Sequence, residues 1–252
     1  MKKALLLFLF IANSLSGQNI DSLFNSANTL YKEGNFDAAI QKYKAIESKK
    51  LVSVELYYNL ANAYYKSNKV GPSIYYYEKA LKIDPLNEDV KNNLIFAKRL
   101  AIDTIEELPT TIFQKINTNY FQKLSYNQWA IVAVMFSFLA SFLFLFYYFS
   151  VTPAKKRTYF ITSIIGFILL VFCLFITYNQ YSFSKNNKEA VVFADKTKVR
   201  NAPTLNSEEV FTLHEGTKVF VLDTIDNWKK IKLADGKIGW IIADEIKILN
   251  EF

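Results

Sequence analysis

Two apolar stretches constrain this chain more than any other feature. Residues 129–149 and 159–179 contain no charged side chain, and aromatic residues mark the ends of both. Each is about 20 residues long, the length that an α-helix needs to cross a hydrocarbon core of about 30 Å. A pair of buried core helices is the alternative, which uncharged runs of this length disfavour. We predict two transmembrane helices that act as anchors, since ion pathways require ionisable groups inside the membrane.

The segment between the stretches, residues 150–158, is short and basic. It contains Lys155, Lys156 and Arg157, and Pro153 is expected to end the first helix. Short loops rich in Lys and Arg stay in the cytoplasm. The sequence therefore predicts a membrane hairpin with a cytoplasmic tip and with both flanking domains outside the cytoplasmic membrane.

The chain begins with the features of a secretory signal peptide at residues 1–17. Lys2 and Lys3 precede an apolar run, and small polar residues follow it. An uncleaved anchor is the alternative, but the run is short for a membrane span. Export of the N-terminal domain agrees with the topology that the basic loop predicts.

The distribution of charge argues against nucleic-acid binding. The formal net charge is +7, but five of the excess charges belong to Lys2, Lys3, Lys155, Lys156 and Arg157, which flank apolar runs. No basic face for phosphates remains, and the lipid bilayer is the expected partner. With one Cys and one His, the chain has no constellation of nucleophile, base or metal ligands. We expect no enzyme activity, no cofactor and no metal.

A repeat with a period of 34 residues occupies the N-terminal region. The aligned identical pairs include Asn25 with Asn59, Ala27 with Ala61, Asn28 with Asn62, Tyr31 with Tyr65, Ile40 with Ile74 and Tyr43 with Tyr77. This period with a helix–turn–helix pattern is the signature of the tetratricopeptide repeat (TPR). The second copy, residues 57–87, strongly resembles a TPR. A partial third copy predicts a capping helix over residues 88–102.

The TPR resemblance implies a concave groove, lined by the first helix of each repeat, that binds a peptide or helix of a partner protein. The expected groove residues are Asp21, Phe24, Asn28, Tyr31, Glu55, Tyr58, Asn62 and Tyr65. Asn amides can bond a peptide backbone in both directions, and Tyr adds amphipathic contact area. The alternative is that these Asn residues are consensus positions of the repeat without a particular ligand.

The C-terminal region consists of short β-branched runs separated by turn residues. Strands are predicted at residues 190–194, 209–213, 218–225, 228–233 and 238–243. Five short strands in about 60 residues predict a small all-β barrel. Val199–Pro203, Leu213–Gly216 and Gly236–Trp240 resemble the motifs of a bacterial SH3 domain, which implies binding of cell-wall peptides or proteins.

Three aromatic residues are candidates for a groove on this domain, namely Phe220, Trp228 and Trp240. A core position for at least one of the tryptophans is the alternative. His214 precedes a turn, without a Cys or a second His nearby, and is predicted to be a surface turn residue.

The order of these modules resembles the BatE family of aerotolerance-associated membrane proteins over essentially the full chain. The predicted architecture is a multidomain membrane protein with an all-α TPR solenoid, a two-helix transmembrane hairpin and a small all-β SH3-like barrel. The expected segments are a signal peptide (1–17), a TPR domain (18–103), a juxtamembrane segment (104–128), transmembrane helix 1 (129–149), a cytoplasmic basic loop (150–158), transmembrane helix 2 (159–179), a linker (180–187) and the SH3-like domain (188–252). Residues 110–125 have helical spacing, either at the membrane interface or as an extension of the TPR cap.

The 34-residue repeat, the uncharged spans and the absence of a catalytic constellation predict a non-enzymatic scaffold of the bacterial inner membrane with both soluble domains in the periplasm. The resemblance implies that it acts in an aerotolerance or envelope-stress complex. Family members are encoded with membrane-anchored von Willebrand-type proteins and a MoxR-type ATPase, so Bat-type von Willebrand-domain proteins are the expected partners. A sensor that binds peptidoglycan through the SH3-like domain is the alternative.

Overall fold

The structure is a computed structural model that describes residues 20–106 and 108–249. The predicted signal peptide lies outside the described residues. The chain forms two compact units. One contains the N-terminal helices and the C-terminal sheet, and the other contains the two apolar helices and the segment that precedes them.

Five helices form the N-terminal part of the first unit. They are α1 (residues 20–32), α2 (Phe36–Glu47), α3 (Val54–Lys66), α4 (Val70–Ile83) and α5 (Glu88–Lys98). Helices α1, α3 and α5 form one layer, and α2 and α4 form a second layer. Ala27 and Ala61 are completely buried, because small residues at these positions let the two helices of each hairpin approach closely.

The backbone repeats with the same period as the sequence. Gly34 (φ 80°) and Asn68 (φ 55°) take the left-handed conformation at equivalent positions. The Asn35 N–H then bonds the Leu30 carbonyl, and the Lys69 N–H bonds the Tyr64 carbonyl. This arrangement satisfies the last carbonyls of a helix and reverses the chain, so it turns α1 into α2 and α3 into α4 in the same way.

Seven strands form the C-terminal part of the first unit. They are β1 (Lys188–Val192), β2 (Lys196–Arg200), β3 (Glu209–His214), β4 (Lys218–Ile225), β5 (Trp228–Lys232), β6 (Ile238–Ile242) and β7 (Ile246–Ile248). All pairs are antiparallel, in the order β3-β2-β6-β5-β4-β1-β7. Since β3 and β7 stand at the two ends of this order, closure into a barrel stays a prediction.

The five predicted strands correspond to β1, β3, β4, β5 and β6. The other two, β2 and β7, were not predicted. In β2 only the buried Thr197 and Val199 alternate with polar residues, and β7 has three residues, so neither carries a strong hydrophobic pattern.

The second unit contains α6 (Ile112–Ile116), a π-helix (Asn117–Phe121), α7 (Tyr126–Phe149) and α8 (Pro153–Asn186). Helices α7 and α8 are long and apolar enough to cross a membrane. They pack through small residues: the Ser163 hydroxyl donates to the Ala140 carbonyl at 3.1 Å, and a Cβ on Gly166 would lie 3.3 Å from the Ala140 Cβ. Such residues let two helix backbones approach closely in a membrane.

Helix bounds in the hairpin differ from the sequence pattern at two places. Pro153 begins α8 instead of ending the first helix, so only residues 150–152 of the predicted basic loop at residues 150–158 lie between α7 and α8. Proline suits the first position of a helix, where its missing N–H has no helical partner to lose. The predicted linker at residues 180–187 is helical as far as Asn186.

The predicted juxtamembrane segment, residues 104–128, divides between the units. Ile105 packs against the core of the sheet, and the Leu108 N–H donates to the Ala234 carbonyl at 3.3 Å. Phe121 instead contacts the apolar pair, where its carbonyl accepts from Trp129 Nε1 at 2.9 Å. The segment is therefore part of both folded units.

Candidate partner-binding surfaces

A hydrogen-bonded triad of Asn28, Tyr43 and Asn59 joins α1, α2 and α3. The Tyr43 hydroxyl donates to Asn28 Oδ1 at 2.6 Å, and Asn59 Nδ2 donates to the same oxygen at 3.1 Å. Burial, with a smaller contribution from Tyr31, raises the pKa of Tyr43 to about 12. The Tyr43 hydroxyl therefore stays protonated at neutral pH and can donate its hydrogen bond to Asn28.

The same triad recurs 34 residues later as Asn62, Tyr77 and Asn93. The Tyr77 hydroxyl donates to Asn62 Oδ1, and Asn93 Nδ2 donates to that oxygen at 2.9 Å. Both Asn28 and Asn62 thus use their carbonyl oxygens inside the protein. Sequence reasoning identified the Asn and Tyr repeats but not their bonds to each other, although the shared 34-residue spacing carried the signal.

The remaining predicted groove residues differ in their solvent exposure and in their contacts with neighbouring side chains. Asp21 and Glu55 are exposed at equivalent positions of α1 and α3, and Tyr65 is half-buried. The other three lie against neighbours: Phe24 on Tyr43, Tyr31 on Phe36, and Tyr58 on Tyr77. Tyr58 also accepts a hydrogen bond from Asn93 Nδ2 at 3.0 Å. Among the predicted groove residues, the accessible chemistry is therefore carboxylate and phenol, because the amide oxygens of Asn28 and Asn62 are bonded inside the protein.

An ion network centred on the buried Glu78 joins the TPR helices to the sheet. Lys218 of β4 lies 3.0 Å from Glu78 of α4 and 2.9 Å from Glu189 of β1. Lys98 lies 2.8 Å from Glu78, and Lys82 lies 2.8 Å from Glu189. Burial alone would raise the pKa of Glu78, but the adjacent Lys218 and Lys98 lower it to about 2. Each of the two carboxylates thus pairs with two lysines, which is the condition under which a carboxylate tolerates burial.

A second contact uses the segment after α5. The Asp103 carboxylate accepts from the His214 N–H at 2.7 Å and from the Thr217 hydroxyl at 2.6 Å, and it lies 2.8 Å from His214 Nδ1. Burial opposes ionisation of Asp103, but the hydrogen bonds from Thr217 and His214 lower its pKa. The prediction that His214 is only a surface turn residue is therefore wrong, since it helps to join the sheet to the TPR helices.

The joint is also closely packed at Gly216, in the turn between β3 and β4. Its φ is +87°, and an added Cβ would lie 2.8 Å from Ile74 Cδ1. The Gly71 N–H of α4 donates to Glu215 Oε2 of the same turn at 2.9 Å. Helix α4 is thus covered by the sheet, whereas α1, α3 and α5 lie in the other helical layer.

The strand register places the predicted SH3 groove residues on one face of the sheet. Lys230 pairs with Trp240, and Trp228 and Lys232 lie two residues to either side of Lys230 on β5. Phe220 pairs with Lys232 and therefore lies on the same face. Phe220 and Trp228 are half-buried, but Trp240 is only 8 % exposed. The accessible part of this face combines aromatic rings with lysines.

Two parts of the chain match known families. Residues 54–87 match the family model of the tetratricopeptide repeat, and residues 195–247 match that of the bacterial SH3 domain. No curated protein matches the chain.

The chain therefore combines two kinds of interaction domain with two helices that are long enough and apolar enough to cross a membrane. Among the described residues, no group of three His, Cys, Asp or Glu side chains is placed to hold a metal ion.

Proposed function

We propose that this protein is a non-enzymatic scaffold of the bacterial inner membrane that presents TPR and SH3-like domains to partners in the periplasm. The observation that carries the proposal is the joint between the domains, where Lys218 bridges Glu78 and Glu189. A joint of this kind holds two interaction surfaces in one compact unit, which suits a scaffold better than a flexible tether does.

The hairpin supports membrane anchoring. Its two helices contact each other through Ala140, Ser163 and Gly166, while most of their other side chains are exposed and apolar. In water such a surface would be a severe aggregation liability, whereas in lipid it is the expected solution. The basic residues at the tip of the hairpin favour a cytoplasmic tip.

The partner surface that we favour is the layer of α1, α3 and α5, because the sheet covers α4 instead. Its exposed carboxylates Asp21 and Glu55 suit a partner segment that carries Lys or Arg. By resemblance to the BatE family, the partners are other membrane or periplasmic proteins, with Bat-type von Willebrand-domain proteins as the first candidates in an aerotolerance complex.

The test is co-purification of the tagged full-length protein from membranes, followed by mass spectrometry. Asp21→Lys/Glu55→Lys should abolish recovery of the partner, because it reverses two exposed charges without touching the Asn–Tyr triads. Glu33→Lys/Glu208→Lys, which changes two other exposed carboxylates by the same charge, should leave recovery unchanged. Equal recovery with all three proteins would rule out this face as the partner surface.

Peptidoglycan binding is a second candidate, favoured by the aromatic and lysine face at Trp228 and Lys230. Cell-wall peptides carry carboxylates that lysines attract, and sugar rings pack on aromatic side chains. Retention of the full-length protein on purified sacculi, lost in Trp228→Ala/Lys230→Gln, would favour this function. The full chain is needed, because the isolated sheet would lose Glu78 as a partner of Lys218 and Lys82 as a partner of Glu189.

A further inference from the structure

The charges of the membrane-hairpin region are unbalanced. Residues 109–187 contain Lys115, Lys123, Lys155, Lys156, Arg157 and Lys185, but no Asp or Glu. Three of these cations occupy consecutive positions at the start of α8, where like charges repel one another. Whatever neutralises them must come from outside this stretch of the sequence.

A cleft lies at the tip of the hairpin beside these cations. Its volume is about 350 Å³, and it is lined by Tyr147, Val151, Pro153, Lys156, Arg157 and Phe160. This volume falls within the range of small-molecule sites, which begins at about 300 Å³. The cleft is thus large enough for a phosphate-bearing headgroup.

Aromatic rings and cations face each other in the cleft. Lys156 Nζ lies 5.3 Å from the centre of the Tyr147 ring, and the Tyr147 and Phe160 ring centres are 5.2 Å apart. Among the residues that the structure describes, neither Lys156 nor Arg157 forms an ion pair. The cleft therefore offers an unneutralised lysine and an unneutralised guanidinium above an apolar floor.

The position of the cleft along α8 determines what it would meet. Arg157 and Phe160 are separated by less than one helical turn, about 4.5 Å along the axis. If α8 spans the bilayer, as in the proposed function on which this step rests, the cations lie at the level of the lipid phosphates. The apolar side chains that follow lie at the level of the acyl chains.

We propose that this cleft binds the phosphate of an anionic phospholipid, with Lys156 and Arg157 contacting the phosphate oxygens and the acyl chains lying along α8 beyond Phe160. A guanidinium offers paired N–H donors to two phosphate oxygens, and an ammonium adds a compact point charge. The three cations of the tip favour a lipid with net negative charge, because a zwitterionic headgroup brings its own cation into the site.

The test uses the purified full-length protein in a neutral detergent, with native mass spectrometry to count bound lipids. Phosphatidylglycerol and phosphatidylcholine with the same acyl chains are the probes. The site variant is Lys156→Gln/Arg157→Gln. The matched control, Lys115→Gln/Lys123→Gln, removes two charges of the same stretch outside the cleft. Lys156→Arg/Arg157→Lys retains both charges and shows whether the tip still folds around them.

The proposal expects one phosphatidylglycerol on the native protein, on the control and on the charge-retaining variant. The affinity for phosphatidylglycerol should fall at least tenfold in the site variant. Phosphatidylcholine should bind the native protein no more tightly than it binds the site variant. Three outcomes would overturn the proposal. They are equal binding of the two lipids to the native protein, an equal fall of the phosphatidylglycerol affinity in the site variant and the control, and a fall of that affinity in the charge-retaining variant. Displacement by millimolar inorganic phosphate would instead assign the cleft to free phosphate.

Alkaline carbonate extraction of cell membranes separates this inference from the proposed function. Protein that stays in the membrane pellet but shows no lipid selectivity refutes the lipid site alone. Release of the protein into the supernatant refutes membrane anchoring and the lipid site with it.

Discussion

Lys218 of β4 lies 3.0 Å from Glu78 of α4, although 140 residues separate the two along the chain. This ion pair lies where the bacterial SH3 domain meets the TPR helices. Because Glu78 is 8 % exposed and Lys218 also contacts Glu189, the pair tests whether the two domains fold as one.

Replacing Lys218 with Met should destabilise the unit by about 2 kcal/mol, because Glu78 and Glu189 lose the lysine that they share and keep only Lys98 and Lys82 as cationic partners. Urea unfolding in detergent, followed by tryptophan fluorescence, measures the change. Lys237→Met is the control, since Lys237 pairs with Asp235 in an exposed turn, where ion pairs contribute little. Similar effects of both substitutions would mean that the joint does not stabilise the fold.

The stability of the unit should depend on pH through Glu78. Its pKa falls from 4.5 to about 2 in the folded protein, despite burial, because of Lys218 and Lys98. A carboxyl group with a depressed folded pKa stabilises the protein above its unfolded pKa, and this contribution is lost as the pH falls through the folded value. Stability should therefore fall between about pH 4.5 and pH 2.

The Glu78→Gln variant should show a shallower decline over that interval, measured by urea unfolding at each pH. Glu55→Gln, which changes an exposed carboxyl group of α3, serves as the control and should retain the native slope. An unchanged slope in Glu78→Gln would show that Glu78 is not the titrating group.

Removal of the Tyr77 hydroxyl should weaken the second Asn–Tyr triad. Tyr77→Phe deletes the donor to Asn62 Oδ1, which keeps its bond from Asn93, so we expect a loss of about 1 kcal/mol. Tyr65→Phe is the matched control, because the Tyr65 hydroxyl has no described hydrogen bond within residues 20–106 and 108–249. Hydrogen exchange locates the effect, which should be confined to α3, α4 and α5, the helices that carry Asn62, Tyr77 and Asn93.

Gly216 and Gly34 offer a direct comparison of backbone strain with packing. Both have positive φ, but an added Cβ would meet Ile74 Cδ1 at 2.8 Å at Gly216 and no atom within 4 Å at Gly34. Each change to Ala should cost about 1 kcal/mol in backbone strain. Gly216→Ala should cost roughly 1–3 kcal/mol more, because Ile74 must shift. Equal midpoints of urea unfolding would refute close contact between this turn and α4.

The proposed topology places the chain terminus after β7 in the periplasm. Alkaline phosphatase fused after Phe252 should be active, because this enzyme needs the oxidising periplasm for its disulfides. β-Galactosidase fused at the same place should be inactive. The opposite pair of results would reverse the hairpin and place both interaction domains in the cytoplasm.

Much of the local structure could be predicted from periodic patterns. The 34-residue period predicts both helical hairpins, and the uncharged stretches predict α7 and α8. The weakly patterned strands β2 and β7 were not predicted. Pro153 was expected to end the first apolar helix, but it is the first residue of α8. A proline is compatible with both sides of a helix boundary, so the residue type alone does not decide between them.

The sequence by itself thus determined the modules, because helical, strand and membrane periodicities are local properties of the chain. Only the tertiary structure decided that the SH3 sheet packs on α4, that Asn28 and Asn62 turn their carbonyl oxygens to internal tyrosines, and that His214 meets Asp103. These contacts join residues far apart in sequence, and each uses ordinary charged or polar side chains that would be equally acceptable on a surface. Their partners are set by packing between elements, which no local pattern encodes.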